Sequence, residues 1–381
     1  MVKKYTDWLV RGLIIVGLLY VGKPVLMPLV LAVFIWYLIS ILTDVIAKPR
    51  KWNPVRVPRP IAFTFALLVI FGAMALASWI IMTNITHVAA VIPAYQYNLE
   101  QMSRRVLSMV PFTEPLTFKK LLADVDFSSM TRGAVREVTS AFGKGAYVII
   151  YLIFLFMEQR SFDKKFKKLL PKSGGDEVNA IIARINSDIR TYIGIKTLAS
   201  FVTAAAGYIV FASVGLNFAS FWTFLLFVLN YIPILGSIVA TALPAVFALM
   251  QYESLAPFFV VLFGIVIIQQ AVGSIIEPRF MGDKLNLSPL VILLSLATWN
   301  LIWGIPGMLM CVPLTAIVVI IFTYFPQTRP IAVALSRNGD IRGVGAMRDG
   351  PAQEEQEGQE DQDQSRNPLK PDTNEMTKSQ G

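Results

Sequence analysis

Four stretches of this chain contain no Lys, Arg, Asp or Glu: residues 60–99, 197–252, 254–276 and 285–328. A helix needs about 20 apolar residues to cross the hydrocarbon core of a bilayer. Gaps of 40, 56, 23 and 44 residues therefore hold several crossings. In hydrocarbon every backbone amide and carbonyl must be satisfied within the protein, which leaves helices and closed barrels as spanning forms. A barrel would alternate polar and apolar residues over segments of about ten, and these runs do not. With 55% hydrophobic and 15% charged residues, the chain reads as an all-α, polytopic integral protein of the lipid bilayer.

The net charge of +9 hides two parts. Residues 349–381 carry nine acidic and three basic side chains, so the preceding 348 residues sum to +15. That excess sits in short loops beside apolar runs, where it reports orientation and not a nucleic-acid partner. Residues 43–60 hold Lys48, Arg50, Lys51, Arg56 and Arg59 against Asp44, and residues 158–172 hold six basic side chains against Glu158 and Asp163. Both loops belong in the cytoplasm, and Lys3 and Lys4 place the N-terminus there as well. Arg11 interrupts the first apolar run and no small-residue cleavage site follows, so this run reads as a first helix and not as a signal peptide.

Transmembrane helices 1–3 then occupy 1–82, with spans around 8–22, 25–43 and 61–82. Residues 83–141 form an extracytoplasmic segment of short amphipathic helices interrupted by Pro93, Pro111 and Pro115, and helix 4 covers 142–157. Residues 158–196 combine the basic loop with an amphipathic helix marked by Ile181, Ile182, Ile185 and Ile189, expected to pack on the body of the protein. Residues 197–328 form a C-terminal transport core. Arg329, Arg337, Arg342 and Arg348 place the tail, 329–381, inside, and its acidic, Gln-rich end reads as disordered. Parity requires 218–250 and 288–325 each to enter and leave on one side. About eight spans result if 288–325 is a full pair and 218–250 a re-entrant hairpin. Tryptophans 36, 79, 222, 299 and 303 fall near predicted helix ends, as an interfacial belt would.

The chemistry available to the chain is narrow. Cys311 and His87 are the only residues of their types, and no Walker loop, Rossmann fingerprint or HExxH occurs. The chain reads as a non-enzyme without cofactor or metal. Two apolar segments are interrupted alike: NYIPILG, containing Asn230, Pro233 and Gly236, and NLIWGIPG, containing Asn300, Gly304 and Gly307. Proline removes a donor and glycine lets the chain leave helical geometry, so backbone groups are freed for a solute. Paired breaks of this kind point to a transporter's binding site, although simple turns between helices would produce the same pattern. Gln269 and Gln270 are neutral hydrogen-bonding groups suited to a polyol. Glu277, next to Pro278 and Arg279, stands at the end of an apolar run. It either couples transport to protons or is neutralised by Arg279 in a structural pair.

The segments INSDIRTYIGIKT (185–197), NYIPILGSIVATALPAVFAL (230–249) and IIEPRFMGDKLNLSPLVILLSLATWNLIWGIPGMLMCVPLTAIVV (275–319) closely resemble the autoinducer-2 exporter family of bacterial permeases. Asn230, Pro233, Gly236, Glu277, Pro278, Gly282, Leu285, Pro289, Gly304, Gly307 and Pro313 match its motif positions. The resemblance covers roughly residues 5–335, strongly after 185; the acidic tail departs from the family pattern. It implies a multi-pass inner-membrane protein, homo-oligomeric, that exports a small-molecule substrate. Some members move autoinducer-2, a quorum-sensing signal, and related members are described as monovalent cation/proton antiporters. A membrane scaffold acting through its tail is the reading from outside transport. Deletion of residues 349–381 separates them: membrane insertion and solute flux in vesicles are expected within about twofold of the intact chain, because a solvating tail contributes nothing to the core.

Overall fold

The computed structural model describes residues 2–48, 57–109, 145–159, 161, 175–281, 287–325, 327–337 and 339. All elements are helical. In chain order they are α1 (Val2–Val21), α2 (Lys23–Ala47), α3 (Arg59–Met109), α4 (Gly145–Gln159), α5 (Gly175–Ser213), α6 (Ala219–Leu229), α7 (Leu235–Gln251) and α8 (Ala256–Ala271). A π turn, Val272–Ile276, joins α8 to α9 (Glu277–Met281), and α10 (Pro289–Trp303), α11 (Ile305–Tyr324) and α12 (Arg329–Leu335) follow. Prolines open α2, α8, α10 and α12 in the first turn, where a missing amide hydrogen costs nothing.

Among the described residues five helices are long and apolar enough to cross a membrane: Lys23–Ala47, Arg59–Asn84, Val178–Ser213, Ala256–Phe280 and Ile305–Tyr324. The shorter apolar helices include Gly145–Gln159, Ala219–Leu229, Leu235–Gln251 and Pro289–Trp303. Leucines, valines and phenylalanines point outward along nearly all of them, as a hydrocarbon solvent requires and water would forbid. The protein is a polytopic all-α membrane protein.

Two elements are longer than the sequence reading has them. α3 continues as one helix through Met109, so the part of 83–141 up to that residue extends the third span and is not a set of separate short helices. Residues 110–141, the acidic tail and most of the basic loop 158–172 lie outside the described residues. The amphipathic helix before residue 197 is likewise fused to the fifth span in the 39-residue α5. Nothing in 175–213 breaks a helix, and Ile189, Tyr192 and Ile193 on its inner face are buried, which keeps the two parts collinear.

By contact the chain divides into Met1–Ile317 and Val318–Gly381. The first unit has two apolar cores. Ala32, Ile39, Ala66, Val148 and Leu152 close α2, α3 and α4 around one another. Phe211, Leu216, Trp222, Leu226, Phe247, Val261 and Ile265 do the same for α5 to α8. α3 packs on both α6 and α7, and α10 packs on α1 and α2. In the second unit the Thr328 hydroxyl donates to the carbonyls of Phe322 and Phe325, at 2.8 and 3.2 Å, closing the turn that leads into α12.

The segment 218–251 is a hairpin whose two ends lie together. The Tyr252 hydroxyl donates to the Gly215 carbonyl at 2.7 Å, and Gln251 Nε2 donates to the same oxygen at 3.1 Å. The Gln251 Oε1 in turn accepts from the Asn217 amide at 2.8 Å. α6 has 11 residues, about 16 Å at the helical rise, and α7 has 17, about 25 Å. The hairpin therefore enters and leaves at one end of the bundle.

Its tip depends on one close contact. A Cβ added to Gly236 would collide with the Leu229 carbonyl oxygen across the hairpin, and one added to Gly307 would collide with that of Trp299 across the second hairpin. Backbone cannot retreat as a flexible side chain can. Gly236→Ala and Gly307→Ala are each expected to destabilise the detergent-solubilised protein by about 1–3 kcal/mol. Gly72→Ala, where the added carbon meets nothing within 4 Å, should be neutral or slightly stabilising; thermal denaturation of the three variants measures the difference.

Candidate functional site

The first break is built from tight turns. The chain leaves α6 with Tyr231 and Ile232 amides donating to Val228 and Leu229, at 3.2 and 2.9 Å, and re-enters a helix with the Gly236 amide donating to Ile232 at 3.2 Å. Between them Ile234 has φ 60° and ψ −65°, and the Leu235 amide donates back to the Pro233 carbonyl at 2.6 Å. This is a γ-turn in the positive-φ form, which a β-branched residue adopts only under strain of about 1–3 kcal/mol.

What holds this corner is α5. Asn230 Nδ2 donates to Ser200 Oγ at 3.1 Å in a buried contact, and the Tyr231 hydroxyl donates to Thr197 Oγ1 at 2.8 Å. The Thr197 hydroxyl passes its own hydrogen to the Ile193 carbonyl at 2.6 Å. The Tyr231 ring sits edge-on to Phe34, near the middle of α2, and to Phe227. Thr203, one turn beyond Ser200, is fully buried, and its hydroxyl has no hydrogen-bond partner among the described residues. A helical threonine ordinarily returns its hydroxyl to the preceding turn, so this is a spare buried donor close to the break.

The other wall is the end of α8. Gln269 Nε2 donates to the Ser237 carbonyl in the first turn of α7, at 3.3 Å. Beyond the π turn, Glu277 Oε1 accepts from Lys196 Nζ at 2.6 Å, with the two side chains only 23% and 11% exposed. Eight residues of regular helix would leave Gln269 and Glu277 about 80° apart around the axis. The one-residue insertion of a π turn reduces this to about 20°. The two side chains thereby face the same neighbours, α5 and the hairpin.

Asn230, Pro233, Gly236, Gln269 and Glu277 thus lie on the hairpin tip and on α8 and its extension, which is bonded both to the hairpin and to α5. The remaining sequence-derived candidates do not join them. Gln270 is exposed. Arg279 is exposed too, and the ion pair that Glu277 makes is with Lys196, not with Arg279. The reason is helical geometry: residues two apart point away from each other, whereas Lys196 comes from the helix packed alongside. Asn300 is exposed, and Gly304, at φ 71°, and Gly307 form an ordinary tight hairpin corner. Trp303 Nε1 there donates to the Leu19 carbonyl at 3.1 Å, so the second break lies beside the junction of α1 and α2, whereas the first is bonded to the middle of α5.

Trp79 is exposed, as a belt residue would be, but two of the other tryptophans are packed into the protein. Trp222 and Trp303 are buried, and Trp222 and Trp299 donate to the Asn217 carbonyl and the Thr315 hydroxyl. Lys196, Thr197, Ser200, Thr203 and Tyr231 also belong to the candidate site, and motif reading did not single them out. Lys196, Ser200 and Thr203 do stand at positions i, i+4 and i+7, one helix face, at the start of an otherwise apolar run.

A membrane-embedded helical bundle with an interrupted hairpin held against polar side chains defines a solute transporter. The AI-2E family transporter model matches residues 9–327, and the chain belongs to that family. It is 28% identical to the AI-2 transport protein TqsA of Escherichia coli over 337 residues, 85% of this chain and 92% of that protein. It is 29% identical over 315 residues to a candidate transport protein of Haemophilus influenzae, covering 80% and 89% of the two chains.

The Lys196–Glu277 pair yields a direct test. Removing one partner of a largely buried pair leaves an uncompensated charge, which costs about 3 kcal/mol. Lys196→Met and Glu277→Gln should each lower stability by that order. The double variant should lose at least about 1 kcal/mol less than the sum, read from thermal denaturation of all four proteins in detergent.

Proposed function

We propose that the chain exports a small uncharged polar solute across the bacterial inner membrane, and that the solute is autoinducer-2. The observation that carries this reading is the composition of the first break. Asn230, Ser200, Thr197, Tyr231 and Gln269 are all neutral hydrogen-bonding groups, and Thr203 adds an unpartnered hydroxyl. A sugar-like polyol offers the matching donors and acceptors, and its loss of hydration requires such groups at close quarters. The name of the Escherichia coli relative supports the same cargo.

In this scheme Asn230 and Gln269 exchange their bonds to Ser200 and the Ser237 carbonyl for bonds to the solute. Pro233 and Gly236 fix the corner at which they do so. The Lys196–Glu277 pair lies next to this corner and acts as gate or coupling element. The basic loops put both termini in the cytoplasm, and the protein works as a homo-oligomer. Gln270, Arg279, Asn300, Gly304 and Gly307 have structural roles in the scheme and do not touch the cargo.

A monovalent cation/proton antiporter is the second reading, favoured by the Glu277 carboxylate, which would exchange its Lys196 partner for a proton or a metal cation. Proteoliposomes decide between the two. Autoinducer-2 efflux that falls at least tenfold in Asn230→Ala and in Glu277→Gln, with sodium pulses moving no protons past a pH-sensitive dye, is the expected result. Proton movement on sodium addition without autoinducer-2 flux would replace the exporter by the antiporter. Flux unchanged in both variants would remove the proposed site.

A further inference from the structure

The two apolar cores of the first unit share no residue: one closes α2, α3 and α4, and the other closes α5 to α8. They meet where α2 runs beside α5 and where α3 packs on α6 and α7. On α2, Phe34 meets the Tyr231 ring, and Ile41 comes within 3.8 Å of where a side chain on Gly194 of α5 would start. Apolar contact of this kind has no direction and lets helices slide. At one end the seam is looser still. Trp36, Phe63 and Phe156 on one side and Asn186 and Arg190 on the other line a cavity of about 780 Å³ among the described residues, whereas a protein interior is ordinarily packed with few voids larger than a water molecule.

A directional link crosses the seam at this end. Arg190 of α5 pairs with Asp44 Oδ2 of α2, and its Nη2 also donates to the Ser40 carbonyl at 3.2 Å. The pair is only partly shielded, with the Arg190 side chain 35% and that of Asp44 21% exposed. The other carboxylate oxygen, Oδ1, faces Arg59 at 3.6 Å. Arg59 opens α3 and therefore travels with the same core as Asp44. One carboxylate thus stands between an arginine of the opposite core and an arginine of its own.

We propose that Asp44 and Arg190 form a latch between the two cores that opens in the transport cycle, and that Arg59 holds Asp44 while the latch is open. Parting an ion pair is prohibitive when it strands a charge away from water and from any partner. Here neither charge is stranded. Asp44 keeps a guanidinium that moves with it, and Arg190, already a third exposed, is hydrated through the cavity. The pair therefore favours the closed arrangement without forbidding the open one. α5 carries Lys196 and Ser200 as well as Arg190, so release of the latch frees the first break to shift against α2 and α3. The inference rests on reading that break as the solute site, but not on which solute is carried.

The test follows the distance between the cores and needs no cargo, so failure of the latch and failure of the exporter reading are separate results. In the full chain with Cys311→Ala, spin labels are placed at Gly72→Cys on α3 and Ser187→Cys on α5, both exposed positions. Pulsed electron resonance in lipid nanodiscs gives the distribution of distances. Asp44→Asn and Arg190→Gln should each raise a second distance population about fivefold, the weight of a partly exposed pair. Raising salt from about 0.1 M to about 1 M should raise it in the labelled parent chain too, by screening the pair. Arg59→Gln should not raise it, because that variant removes the partner of the open state. A distribution unchanged in both Asp44→Asn and Arg190→Gln overturns the latch. So does a rise in Arg59→Gln equal to theirs, which would make the three residues a plain structural cluster.

Discussion

Inside hydrocarbon a polypeptide can abandon helical geometry only where other parts of the protein replace what it gives up. At the first break the turn bonds of the Tyr231, Ile232, Leu235 and Gly236 amides are that replacement, and the side-chain bonds from Asn230 and Tyr231 to Ser200 and Thr197 anchor the corner to α5. α5 is one continuous 39-residue helix that presents the hydroxyls of Thr197 and Ser200 to the corner. Gly236 brings α7 against the Leu229 carbonyl so that the hairpin closes tightly. The Tyr252 and Gln251 bonds to Gly215 tie the hairpin's open end, so that its tip is set from two directions.

The strain at Ile234 belongs to the same logic. A γ-turn at a β-branched residue persists only when its surroundings over-determine it, and here α5 on one side and the close approach of α7 on the other do so. The π turn at Val272–Ile276 is the counterpart on α8. It gives up regular bonding for one turn and in return aligns Gln269 with Glu277. Irregular backbone thus appears both in the hairpin tip and at the end of α8, which faces it. By comparison the second hairpin, at the junction of α1 and α2, has a glycine at the positive-φ corner, where no strain arises.

Much of this was readable in the sequence because the strongest signals are one-dimensional. Charge-free runs mark the spans, and the Asn, Pro and Gly punctuation marks both hairpins. Loss of charge and presence of proline are local properties that no partner can alter. The rest depends on which helices lie side by side. Nothing local distinguishes Arg279, two residues from Glu277, from Lys196, 81 residues away, as its partner. The two breaks look equivalent in sequence, yet Asn230 meets a hydroxyl in the interior while Asn300 is exposed. Trp222 and Trp303 resemble interface anchors until the backbone carbonyls they bond come into view. The length of α3 and α5 was hidden for a different reason: a change from apolar to amphipathic composition reads as a boundary, but a helix continues until something breaks it.

The short hairpin also changes how the membrane potential is felt. Across a full span the potential falls over the whole hydrocarbon thickness, at about 2.3 kcal/mol per elementary charge per 100 mV. Neutral polar groups at the hairpin tip, if water approaches them from one side, would concentrate that fall into the apolar barrier that remains. Lys196 and Glu277 stand beside that barrier. A rearrangement that parted them within such a field would move charge along it, and the movement of even a neutral cargo would then respond to voltage.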